Sequence, residues 1–148
     1  MDISAADIMC TEVISIAPEA SLEETVKILA KNHVSGLPVV DQDNKVVGII
    51  SERNVIDFSS KLNVVALVGF SGWVSPQADV SFEAFSRTKV EDLMSRKVVT
   101  AKSGTSGEEI ARLMKNRKIN RIPIVDENGK LIGIVTRGDL VNYLAAKN

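Results

Sequence analysis

The residues best equipped for chemistry lie in the segment Thr136-Arg137-Gly138-Asp139. It follows an aliphatic run ending at Val135 and opens a helical pattern, so free backbone N–H groups and the positive end of a helix point outward there. A phosphate group is a natural ligand for such an end. Thr136 adds a hydroxyl, Arg137 a cationic fork suited to phosphate oxygens, and Gly138 allows close approach to the backbone. Asp139, one turn in, adds a carboxylate acceptor. The same Thr-x-x-Asp spacing is also a helix capping box, stabilising without any ligand, and the two readings are compatible. Catalysis finds little support. No nucleophile–base pair, paired-carboxylate spacing or metal set is visible, so neither a catalytic residue nor a metal ligand is nominated and the chain is expected not to be an enzyme. The single cysteine, Cys10, has no neighbouring base, and the single histidine, His33, is expected to cap or flank the end of a helix.

Charge narrows the choice of partner. With 18 Lys+Arg against 19 Asp+Glu, the 148-residue chain has a formal net charge of -1, which argues against neutralising nucleic-acid phosphates over a large face. One cysteine excludes an intrachain disulfide, and the composition fits a reducing, cytoplasmic compartment. The start Met1-Asp2-Ile3-Ser4 lacks the pattern of a signal peptide. Only 4% of residues are aromatic, and Phe58, Phe70, Trp73, Phe82 and Phe85 all fall between positions 58 and 85, leaving Tyr143 alone elsewhere. The middle of the chain therefore differs from its two ends.

Those ends repeat each other. A shift of 85 positions lays residues 7–58 on 92–143 without a gap, and 12 of the 52 pairs are identical. Leu37-Pro38-Val39-Val40-Asp41 falls on Ile122-Pro123-Ile124-Val125-Asp126, and Lys45 to Ile50 falls on Lys130 to Val135. Each repeat reads as strand, helix, strand, strand, helix. The first strands are Val13–Ile16 and Val98–Ala101. Capping boxes at Ser21 and Ser106 open the first helices, whose apolar residues recur at amphipathic spacing. Turns follow at Asp41–Asn44 and Asp126–Gly129, then strands Val46–Ile50 and Leu131–Val135, then second helices from about Glu52 and Arg137. Three short strands cannot bury both faces alone, so the repeats are expected to pack together in an α+β fold.

An aliphatic-Pro-aliphatic-Val-Asp strand, a turn, then Gly-aliphatic-aliphatic-Ser/Thr-x-x-Asp/Asn, present twice in register, resembles a tandem pair of cystathionine-β-synthase (CBS) domains, or Bateman module, as a stand-alone protein. The resemblance implies two βαββα units about a pseudo-twofold axis with two clefts between them. It further implies adenine-nucleotide or adenosyl ligands (AMP, ADP, ATP or S-adenosylmethionine) that regulate rather than serve as required cofactors, and a flat homodimer. In the family, Asp139 would accept from both ribose hydroxyls. The adenine slot is crossed, which assigns Met9, Ile14, Val34, Ser35, Gly36 and Ile134 to the cleft of Thr136, Arg137, Gly138 and Asp139. The second cleft would combine Met94, Val99, Ile119, Asn120 and Arg121 with Ile49, Ser51, Arg53 and Asn54. It departs from the pattern. Asn54 is neutral and a weaker acceptor, and Glu52 stands where Arg137 stands and repels phosphate, although Arg53 compensates. This cleft is expected to be the weaker one or empty.

The repeats are bounded here as 1–58 and 90–148, separated by an insert at 59–89. Leu62 to Phe70 is apolar except at Asn63 and Gly69, too short to span a bilayer, which takes about 20 helical residues. Its aromatics are read as anchors holding an irregular loop on the module or on a dimer partner, with packing inside one chain as the plain alternative and a lid over the nucleotide cleft as a third. The expected function is a regulatory module signalling to a separate, unidentified protein partner, with no nucleic acid and no membrane. The alternative is a ligand-independent dimerisation or interaction scaffold.

Overall fold

Local signals build the elements in a computed structural model, which describes residues 3–61 and 83–147. In chain order these are α1 (Ala5–Ile8), α2 (Leu22–Asn32), β1 (Gly36–Val40), β2 (Val46–Ser51), α3 (Glu52–Lys61), α4 (Val90–Leu93), α5 (Gly107–Arg117), β3 (Arg121–Val125), β4 (Leu131–Thr136) and α6 (Arg137–Lys147), with a short helical stretch at 83–87. Ser21 and Ser106 begin α2 and α5, each hydroxyl accepting from the backbone N–H three residues on at 3.1 Å. The returning half of the expected capping box forms in neither helix, and in α5 the Glu109 carboxylate pairs instead with Arg112 on the exposed helix surface. Both helices end on a left-handed residue, His33 (φ 53°) and Lys118 (φ 55°), so His33 terminates its helix as expected.

Two two-stranded sheets form, β1 with β2 and β3 with β4. In the second, Ile122 faces Val135 and Ile124 faces Gly133, with a bulge between Ile124 and Val125. The tight turns are braced by Asp41 and Asp126, whose Oδ1 atoms accept from N–H groups two and four residues later at 2.9–3.0 Å. Asn44 (φ 64°) and Gly129 (φ 82°) supply the left-handed position of each turn. The N–H of Lys130, more than any other group, holds the Asp126 carboxyl below its ordinary pKa.

The expected first strands shrink to single parallel bridges, Ile16 to Val39 and Ala101 to Ile124. Proline is the reason. Ala101 donates to the Pro123 carbonyl and accepts from the Val125 N–H. The next rung back would need an N–H from Pro123, which has none, and Pro38 imposes the same stop on the other repeat.

The chain divides into two compact units that do not coincide with the sequence repeats. One, built on the second repeat, comprises Met1–Ile14, Val40–Val46 and Lys97–Asn148. The other, built on the first repeat, comprises Ser15–Val39 and Val47–Arg96. The repeats have thus exchanged their leading segments. Ala5 and Ile8 pack with Ile110, Ile122, Ile124 and Val135 in the second-repeat core. Val90 and Met94 pack with Leu22, Leu37, Val39 and Ile50 in the first-repeat core. Each fully buried aliphatic side chain contributes about 1.5–3 kcal/mol.

Backbone bridges fix the exchanged segments, Cys10 to Ile134 and Ser95 to Ile49, each with reciprocal hydrogen bonds of 2.8–3.0 Å. Gly133 and Gly48 make room for them. A Cβ at Gly133 would stand 2.5 Å from the Met9 sulfur, and one at Gly48 2.5 Å from the Met94 sulfur. From the 59–89 segment, Phe85 is buried in the first-repeat core and stacks on Phe58 with ring centroids 6.5 Å apart. For Phe85, packing inside one chain is the observed role. Phe70, Trp73 and Phe82, and with them most of the insert, lie outside the described residues.

Candidate ligand-binding site

In the second-repeat unit, β4 ends at Thr136 and α6 starts at Arg137 with no intervening loop. The turn from strand to helix is held by three hydrogen bonds. Thr136 N–H donates to Asp139 Oδ2 at 2.8 Å, Asp139 N–H donates to Thr136 Oγ1 at 3.1 Å, and Arg137 N–H donates to the Asn120 carbonyl at 2.8 Å. The capping box anticipated from the sequence is therefore present. It occupies one carboxylate oxygen and leaves Asp139 Oδ1 and the Thr136 hydroxyl hydrogen without a partner among the described residues. Both side chains are half-buried, while Arg137 and Gly138 are exposed. A Cβ at Gly138 would meet only Thr136 Oγ1, at 3.7 Å, so the space over the helix start is open. Together these atoms offer an acceptor, a hydroxyl donor and a guanidinium around one helix end, a set matched to a polyhydroxylated, anionic ligand.

The same unit holds Met9, Ile14 and Ile134 from the first predicted set, and Val99, Ile119, Asn120 and Arg121 from the second. Met9 is half-buried against Gly133, whereas Ile14 is 39% exposed. A cavity of about 540 Å³ runs along α5 and α6, its lining including Ile119, Asn120, Arg137, Lys118, Leu140 and Val141. It thus brings Arg137 together with Ile119 and Asn120, which the sequence reading had assigned to the other cleft. The volume lies in the range of small-molecule sites. Lys118 and Lys115 on its wall were missed, because helix-terminal lysines normally read as solvated.

The first-repeat unit holds the corresponding arrangement. Ser51 N–H donates to Asn54 Oδ1 at 2.9 Å, and Glu52 N–H donates to the Ser35 carbonyl at 2.9 Å. Ser35 thus stands beside Glu52 as Asn120 stands beside Arg137. Val34, Gly36, Ile49, Arg53 and Met94 belong to this unit as well, Met94 and Gly36 being buried and Arg53 exposed. Among the described residues no group of three or more His, Cys, Asp or Glu side chains is placed to hold a metal ion, and no helix is long and apolar enough to cross a membrane.

Comparison with known proteins follows from this geometry. A protein of Methanocaldococcus jannaschii designated MJ1426 is 35% identical over 150 residues, covering 93% of this chain and 89% of that protein. The crystal structure of CBSX2 in complex with AMP is similar with a TM-score of 0.76 at 28% identity, over 98% of both chains. The CBS domain pair of protein MJ0100 in complex with 5′-methylthioadenosine and S-adenosyl-L-methionine gives a TM-score of 0.77 at 26% identity, over 100% of both chains. Twice along the sequence, at residues 5–61 and 90–146, the chain matches the CBS domain, and it belongs to that family as a tandem CBS pair.

Proposed function

We propose that this chain is a non-catalytic regulatory module that binds an adenine nucleotide or adenosyl ligand of the AMP, ADP, ATP or S-adenosylmethionine class. In this reading the principal site is built on Thr136, Arg137, Gly138 and Asp139, and the bound state is passed to a separate protein partner. The observation that carries the reading is the helix start itself. Asp139 Oδ1 and the Thr136 hydroxyl hydrogen are uncommitted beside an exposed guanidinium. A carboxylate oxygen accepts from ribose hydroxyls, and Arg137 with the helix dipole takes phosphate. The solved CBS pairs bound to AMP and to S-adenosyl-L-methionine support the ligand class. Met9, Ile14, Val34, Ser35, Gly36 and Ile134 remain our assignment for the adenine slot. Ligand energy switches the module only through unequal affinity for two conformations. We assign the module to the cytoplasm, in keeping with its one free, exposed cysteine.

A homodimer is part of the proposal. Ile56 and Val141 occupy the same position in the two repeats and are 64% and 58% exposed, and Leu144 is 55% exposed. Apolar side chains so placed on α3 and α6 favour a second copy as their cover, and they are also what a ligand-independent scaffold would use.

Thermal unfolding with about 1 mM each of AMP, ADP, ATP and S-adenosylmethionine separates sensor from scaffold. A dissociation constant near 10 μM adds about 2.7 kcal/mol, a rise of about 5–11 °C for a chain of this size. Asp139→Ala should remove most of that rise. No rise with any of the four would leave the scaffold reading.

A further inference from the structure

The cavity of about 540 Å³ in the second-repeat unit has two unlike ends. Arg137 N–H donates to the Asn120 carbonyl at 2.8 Å, which sets the start of α6 beside the end of α5. From that junction the lining runs back along α5 to Ala111 and forward along α6 to Leu144. At the helical rise, the steps from Lys118 to Ala111 and from Arg137 to Leu144 each cover about 10 Å. Lys118 and Arg137 stand at the junction, with Lys115 about one turn back. Beyond them the wall is apolar and ends at Ala111, Val141 and Leu144, the last two more than half exposed.

The fold itself requires neither end. The shift of 85 positions puts Ala30, His33 and Glu52 where Lys115, Lys118 and Arg137 stand, and Val26 and Ser59 where Ala111 and Leu144 stand. The first repeat forms the matching helices α2 and α3 all the same. Nor are the cations spent on ion pairs, since none of the three pairs with an acid among the described residues. Three like charges beside one apolar wall attract an anion, and the wall adds burial of a chain attached to it. An inorganic anion would leave the wall wet, and a neutral chain would leave the cations unanswered.

We infer that this cavity binds a small amphipathic anion, a short aliphatic chain carrying a carboxylate head. The head lies among Lys115, Lys118 and Arg137, and the tail lies toward Ala111, Val141 and Leu144. The matching helices of the first repeat carry Glu52 and neither lysine, so they repel such a head and one ligand per chain is expected. Arg137 is common to this cavity and to the proposed nucleotide site. Lys118 and Ala111 belong to the cavity alone, so either reading can fail while the other stands.

Octanoate, a carboxylate with a chain of matching length, is the probe, titrated calorimetrically into the full-length chain. One octanoate should bind per chain, and acetate and 1-octanol should each bind about tenfold more weakly or worse, since each lacks one half of the match. Lys118→Glu reverses a charge at the head and should weaken octanoate about ten- to a hundredfold. Ala111→Phe fills the apolar end without changing charge and should abolish binding. Equal thermal midpoints of both variants without ligand show that folding is not the cause. Absence of octanoate binding overturns the inference, as do a count of two, equal affinity for 1-octanol, or wild-type affinity in either folded variant. Light scattering then identifies the other occupant. A chain that binds no octanoate, scatters as a dimer and becomes a monomer in Val141→Glu has given this cavity to a second copy. Sedimentation with phosphatidylglycerol vesicles in place of octanoate binding would give it to a membrane surface, which overturns the inference equally.

Discussion

Gly133 and Met9 fit closely in the second-repeat unit, and Gly48 with Met94 repeats that fit in the other. A methyl group at Gly133 would overlap a flexible thioether, which can move, but would also press on the Cys10 carbonyl at 3.2 Å. At Gly48 the Ser95 carbonyl is nearer, at 3.0 Å. Both alanine variants should therefore be destabilised, by about 1–3 kcal/mol in the manner of overpacked cores, with Gly48→Ala the worse of the two in urea unfolding. Asp126 makes a pH prediction. Its folded pKa is lowered, chiefly by the Lys130 N–H, so its contribution is complete above the ordinary aspartate range and is lost as pH falls through the lowered value. Asp126→Asn keeps an acceptor but does not titrate, so its acid-unfolding curve should lack that component. At this scale the sequence was partly legible. Thr136 and Asp139 could be placed in a capping box because Thr-x-x-Asp spacing is local. Which oxygen of Asp139 stays unpaired depends on hydrogen-bond directions that no spacing records.

Elements were legible where their causes lie within a few residues. The helix beginning after Ser21, the turn at Asn128-Gly129 and the helix from Arg137 all follow from local chemistry, and all form. Ser106→Ala should cost about 1 kcal/mol of stability by removing the cap on α5. His33→Gly should stabilise by about 1 kcal/mol, since His33 holds a left-handed conformation that glycine adopts freely. Thermal or urea unfolding checks both, and loss of stability in His33→Gly would show that its side chain has a further task. The first strands failed as ladders because the missing donor, Pro38 or Pro123, sits on the neighbouring strand. The short helices α1 and α4 were overlooked for a related reason. At four residues each they have no periodicity to read, and their burial comes from partners far along the chain.

At the scale of the whole molecule, the proposed homodimer makes the exposed Ile56 and Val141 its test. Light scattering should report twice the 16.0 kDa chain mass for the wild type. Ile56→Glu and Val141→Glu should each weaken self-association by about 2 kcal/mol or more, roughly thirtyfold, if these side chains are buried by the second copy. A wild type that scatters as one chain would remove the dimer from the proposal. The duplication itself could be read from sequence because identical spacing survives at Pro, Asp, Lys and Gly. The exchange of leading segments could not, since nothing in a repeat records which copy its own start will pack against. That exchange orders events during synthesis. The first-repeat unit cannot form its bridge at Ile49 until Ser95 has left the ribosome, and Cys10 must wait for Ile134. A chain emerging N-terminus first thus makes Ala5 to Cys10 long before their docking site exists, and that segment waits through most of both repeats to be buried.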